Sequence, residues 1–161
     1  MANEDFNIIV DTREQQPWNF KTYGTVSQKL DTGDYSIEGL ENLVAIERKK
    51  SVNEFATNIT EKRFKDWVAR LAEVEFAFVL LEFGLEDVLR YPAGSSIPKR
   101  MWNKIKISPN FIIKNLLDLQ LKHNIKVMFC ENHHFAEHLA EQIFKRIYYI
   151  DKNRRDNNET S

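Results

Sequence analysis

Asp34, Glu47 and Lys49 are the residues whose types and spacing suit chemistry. Asp34 stands between Gly33 and Tyr35. Glu47 and Lys49 lie two apart, at the end of an apolar run that begins at Leu43. On an extended strand, residues i and i+2 share a face. Glu47 and Lys49 therefore project together and Arg48 turns away. Carboxylates brought together at strand ends are costly unless a cation compensates them. Magnesium takes hard oxygen ligands, commonly one or two carboxylates completed by water and phosphate. Asp34 and Glu47 can supply that pair from adjacent strands of a hairpin, and manganese is expected to substitute. Lys49 adds an ammonium that can orient water or offset developing negative charge. Such a set is a workable centre for cleaving a phosphodiester.

Each of these residues also has a plainer reading. Asp11, at the end of the run Phe6–Val10, can cap a turn. Asp34 in Thr-Gly-Asp-Tyr can be an ordinary hairpin residue. Glu47 to Lys50 can be a solvated charge run. Glu82 interrupts the apolar stretch 76–83, as a member of the acidic cluster or as a paired structural carboxylate. His134 and His138 have the i, i+4 spacing of a helical metal pair, without a third ligand. Lys99, Arg100, Lys104 and Lys106 surround Trp102, as a phosphate-contacting patch with an aromatic stacker or as a solvated face. Cys130, in the apolar run 125–130, reads as a packing residue.

The elements that must hold these groups follow from periodicity. Residues 6–10 form a strand, 15–24 a loop, and 27–49 strands joined by tight turns. Ser51 caps a helix with Glu54 as its capping-box partner. A second helix over 61–74 gathers Phe64, Trp67, Val68 and Leu71 on one face. Residues 76–83 suit a central strand covered on both faces. A loop over 91–97 precedes a helix that starts at Ser108-Pro109. A strand over 125–130, a helix over 134–149 and a polar tail expected to be disordered (151–161) complete the chain. The order predicts an α/β domain over 1–150, with a central mixed sheet and helices on both faces.

A chain of 161 residues suits one domain. Its net charge of −1 places any basic footprint locally. One cysteine excludes a disulfide framework within the chain and fits a reducing compartment. The polar, acidic start and the lack of a long apolar run predict a soluble intracellular protein with no membrane association.

Asp followed by Glu-x-Lys on the next strand resembles the PD-(D/E)xK nucleases. The longer pattern resembles the XPF-type (ERCC-four domain) endonucleases: Val10-Asp11-Thr12-Arg13-Glu14, Gly33-Asp34-Tyr35, then Ile46-Glu47-Arg48-Lys49-Lys50-Ser51. Arg63-Phe64 and Val79-Leu80-Leu81-Glu82 extend the match. The resemblance implies a restriction-endonuclease-like fold and metal-dependent hydrolysis of DNA near a duplex–single-strand junction, in repair, recombination or replication. It implies Asp34 and Glu47 as metal ligands, Asp11 completing the acidic cluster, and Lys49 as the catalytic lysine. Arg13, Glu14, Arg48 and Arg63 become supporting or DNA-contacting residues. Two departures stand out: Asn53 occupies the place of a family aspartate, and no helix-hairpin-helix modules follow. Substrate choice then falls to the domain, to a homodimer or to a partner chain. A non-catalytic DNA-binding or partner module is the alternative.

Overall fold

The apolar runs become six strands of one mixed sheet in a computed structural model that describes residues 3–161. The strands are β1 (Asn3–Val10), β2 (Tyr23–Ser27), β3 (Tyr35–Ile37), β4 (Val44–Lys49), β5 (Phe76–Leu81) and β6 (Lys126–Phe129), in the order β2-β1-β3-β4-β5-β6. β1 runs parallel to β2 and antiparallel to β3, and β3 runs antiparallel to β4. β4, β5 and β6 are parallel. Every residue of β4 is buried, as a strand covered on both faces requires.

The helices are α1 (Val52–Asn58), α2 (Phe64–Ala72), α3 (Leu85–Arg90), α4 (Pro109–Leu121) and α5 (His133–Glu159). Alternation along the strands divides the core in two. Val44, Ile46, Tyr35 and Leu80 pack with Ala136, Ala140, Phe144 and Ile147 of α5. Ala45, Val79 and Leu81 pack on the other face with Phe55, Leu71, Val88, Ile112 and Leu119 from α1 to α4. The expected architecture, a mixed sheet with helices on both faces, is present.

Local signals place the helix starts. Ser51 Oγ accepts from the Glu54 N–H at 3.0 Å, capping α1 as expected. Glu54 closes its side of the box one residue early, accepting from the Lys50 N–H at 2.7 Å. Ser108 caps α4, with Pro109 in its first turn.

Four elements differ from expectation. The second strand is Tyr23–Ser27 rather than 27–30, since an outer strand can pair along β1 through a segment that Gly24 makes loop-like. α3 and a short 3-10 helix over Lys99–Lys104 were not foreseen; both are one or two turns long and lack a sustained period. α5 continues to Glu159, through the segment expected to be a disordered tail. Arg154 there pairs with Glu75 at 2.9 Å, and Arg155 with Asp151 at 3.0 Å.

Candidate active site

Gly33 sets the geometry. Its φ of +79° belongs to the left-handed region. A Cβ there would sit 3.1 Å from Ala45 Cβ and 3.2 Å from Ile46 O, so the turn presses directly on β4. Asp34 is thereby clamped between two strands. Its N–H donates to Ile46 O at 2.8 Å, and its carbonyl accepts from the Asp11 N–H at 2.9 Å. Its carboxylate Oδ2 accepts from the Arg48 N–H at 2.8 Å.

β4 delivers Glu47 and Lys49 to the same face. Lys49 Nζ lies 3.3 Å from Glu47 Oε1, and both residues are buried. α2 closes over them with Trp67. Lys49 Nζ stands 4.9 Å from the centre of the Trp67 ring, within the range of a cation–π contact. The Trp67 N–H is buried without a well-aligned hydrogen-bond partner, and it favours the charged form of the neighbouring Glu47 carboxylate. The sequence marked Trp67 only as a core residue. Its period on α2 placed it on the inner face, but nothing local showed that this face meets Glu47 and Lys49.

Burial pushes Asp34 well above the usual carboxylate range. The Glu47 and Glu14 charges push it further, and the Arg48 N–H and Lys49 pull against them. Burial likewise raises Glu47, against Lys49 and Trp67. A half-buried and a buried carboxylate thus share one ammonium, a deficit of positive charge that a divalent cation relieves. Hard oxygen donors in this number suit magnesium, which completes its shell with water and phosphate. Asp34 and Glu47 fit that group.

Asp11 stands apart. Its Oδ1 accepts from the Arg13 N–H at 2.9 Å and Arg13 Nε at 2.8 Å. Its Oδ2 accepts from Arg13 Nη2 at 3.1 Å and the Leu30 N–H at 2.7 Å. Four donors occupy both oxygens. Among the described residues, no group of three or more His, Cys, Asp or Glu side chains could hold a metal ion. Asp11 here clasps the turn 11–14 to the loop at Leu30. Those donors outweigh burial and hold its carboxyl below the usual range.

Arg13 is 68% exposed, yet its charge still feels Asp34 and Glu47, which places it at the rim. Arg63 is 82% exposed and pairs with Glu61 at 2.6 Å, and the Glu61 charge still feels Lys49. Asn53 accepts from the Tyr91 hydroxyl at 3.1 Å, tying α1 to the loop after α3.

The opposite face carries a second charged assembly. Arg48 Nε donates to Glu82 Oε2 at 2.8 Å. Arg48 Nη1 donates to Gln16 O at 2.6 Å and to Glu14 Oε2 at 3.2 Å. Glu14 also accepts from Tyr35 OH at 2.8 Å, and Glu82 from Trp18 Nε1 at 2.7 Å. Glu82 is therefore a paired structural carboxylate. His134 and His138 gain no third ligand among the described residues. Cys130 is buried, and burial pushes its thiol up to about 11, as suits a packing residue.

A model of the ERCC4 domain family matches residues 10–141. No curated protein sequence matches the chain. XPF from Aeropyrum pernix has a similar fold, with a TM-score of 0.62 at 19% identity over 86% of this chain and 60% of that one. XPF from Aeropyrum pernix in a complex with DNA gives 0.61 at 19% identity, over 92% of this chain and 66% of that one. The chain thus spans less than two thirds of either structure's length.

Proposed function

The chain belongs to the ERCC4 domain family, and from that premise we propose that it is a magnesium-dependent endonuclease of the XPF type acting on DNA. One observation carries the proposal: half-buried Asp34 and buried Glu47 form an undercompensated carboxylate pair, with the Lys49 ammonium 3.3 Å from Glu47. Three residues of a bland turn and a solvated charge run would not share this burial.

Asp34 and Glu47 would hold the metal ion. When bound, it would polarise the phosphoryl group and make a water molecule more acidic. Lys49, held between Glu47 and Trp67, would present N–H donors to that water or to a phosphoryl oxygen as charge develops. Asp11 would position the site by fixing the 11–14 turn. Arg13 would meet a flanking phosphate from the rim. Glu14 and Arg48 would support the site from behind the sheet, and Arg63 would contact DNA from the surface. Manganese would serve in place of magnesium.

XPF from Aeropyrum pernix in its DNA complex supports DNA as the ligand. Branched or junction-containing DNA, met in repair, recombination or replication, is the proposed substrate, with a homodimer or partner chain supplying further grip. Among the described residues no helix is long and apolar enough to cross a membrane, in keeping with action on DNA inside the cell. Asn53, where the family pattern has aspartate, favours a second reading: a non-catalytic DNA-binding or partner module.

The test is incubation with single-stranded, duplex, flap, fork and four-way DNA in magnesium or manganese. Loss of cleavage in both Glu47→Ala and Lys49→Ala supports the proposal. Persistent cleavage by both variants removes this site, and no cleavage of any substrate by the unaltered chain favours the module.

A further inference from the structure

From Val88 to Leu117, thirty residues contain no aspartate or glutamate and six lysines or arginines. The whole chain has a net charge of −1, so the remainder carries −1 − 6 = −7. Arg90 pairs with Glu86 and Lys114 with Asp118, at the two ends of the segment. Lys99, Arg100, Lys104 and Lys106 are exposed, and none makes an ion pair among the described residues. Four like charges within eight positions repel one another, and in an acidic protein neutralisation would be easy to supply.

The segment is also held in shape. Ile97, Ile105 and Ile107 pack on the core cluster that faces α1 to α4. The Trp102 N–H donates to Ile97 O at 3.0 Å. The Met101 N–H donates to Pro98 O at 2.8 Å, and the Ile105 N–H to Trp102 O at 3.1 Å. Trp102 is therefore a brace under the turn, with its polar end engaged within the segment. The recognition chemistry left on the outside is that of ammonium and guanidinium groups.

Its position relates it to the candidate site. The 3-10 helix lies on the face of the sheet toward which Glu47 and Lys49 project. A cleft of about 350 Å³ lies between the residues that follow Lys49 and those that precede Lys99, with Glu82 and Asp87 also on its lining. Lys50, Ser51 and Asn53 form one wall, directly after Lys49, and Tyr91, Ala93 and Ser95 form the other.

We propose that Lys99, Arg100, Lys104 and Lys106 form a docking surface for the phosphate backbone of the DNA arm that leads away from the site. This rests on the reading of the chain as a DNA-acting protein. A grip made by charge alone reads no bases, so the surface would hold any sequence.

The experiment measures binding of fluorescent duplex and single-stranded DNA by the full chain, in EDTA so that nothing is cut, over a range of salt. The variant is Lys99→Ala/Arg100→Ala/Lys104→Ala/Lys106→Ala. The control is Lys145→Ala/Arg146→Ala, two exposed cations on α5, across the sheet. Each phosphate that the protein no longer neutralises lowers the slope of log affinity against log salt by about 0.9 on duplex and about 0.7 on single strands. The expected result is a slope lower by roughly 2 to 4, with about tenfold or weaker binding near physiological salt. The control should leave both unchanged. The larger change on duplex or on single-stranded DNA identifies the arm that docks. Unaltered slope and affinity in the fourfold variant, while the parent binds DNA, would overturn the docking surface alone. A parent chain that binds no DNA would overturn the underlying reading as well.

Discussion

Lys49 holds its ammonium 4.9 Å above the ring of Trp67, so an aromatic side chain on α2 fixes the charge that β4 delivers. A cation–π contact of this kind contributes on the order of 0.5–2 kcal/mol. Trp67→Leu should therefore lower kcat by about 3- to 30-fold with KM little changed. Trp67→Phe, which keeps a ring, should recover part of the loss. Equal losses in both variants would show that the ring face is not what matters.

Asp34→Asn should stabilise the metal-free chain at neutral pH while removing its response to metal. Burial and the Glu47 charge raise the Asp34 carboxyl in the fold. The unfolded chain is then the better home for the ionised form, and stability falls as pH rises through the folded value. The amide keeps an oxygen for the Arg48 N–H. Thermal melts should show Asp34→Asn above the parent at pH 7, the gap closing in acid. Magnesium or manganese should raise the melting temperature of the parent only.

Asp11 should act in the opposite sense. Its folded carboxyl lies below its usual value because of its hydrogen bonds to Arg13 and Leu30. The stability it contributes is present above the unfolded value, about 3.9, and is lost as pH falls through the lower folded one. Asp11→Asn should be less stable than the parent at neutral pH, and the difference should shrink below about pH 4. A difference that stays constant with pH would mean that the turn depends on shape and not on charge.

Arg48→Met should destabilise the fold by about 3–5 kcal/mol, since it leaves the largely covered Glu82 and Glu14 carboxylates without their cation. Arg48→Met/Glu82→Leu should regain part of that loss, because it removes both the charge and its orphaned partner. Urea unfolding of the parent, Arg48→Met, Glu82→Leu and the double variant checks this. A double variant as unstable as the sum of its parts would show that Arg48 and Glu82 act separately.

The arrangement of Glu47, Arg48 and Lys49 was legible because strand alternation is a local rule. The two-residue spacing alone placed Glu47 and Lys49 on one face and Arg48 on the other. Ser51, Ser108 and Pro109 were legible for the same reason, since a cap needs only its own first turn. What lay beyond reach was partnership over distance. Glu82 looked equally like a site member or a structural acid until Arg48, 34 residues away, was seen to hold it. The hydrogen bonds of Asp11 to Arg13 and Leu30 are visible only in the folded loop. Arg63 matched by type and ended on the surface. β2 was displaced because an outer strand with glycine and few apolar residues has no strong period.

β4 writes two instructions into alternate positions: the even pattern builds the clamp to Glu82 and the odd pattern carries Glu47 and Lys49. Inserting or deleting a single residue there would invert every side chain downstream within the strand. The charged pair would enter the α5 core, and Arg48 would face Trp67. In descendants of this chain β4 can therefore change only letter by letter and never in count.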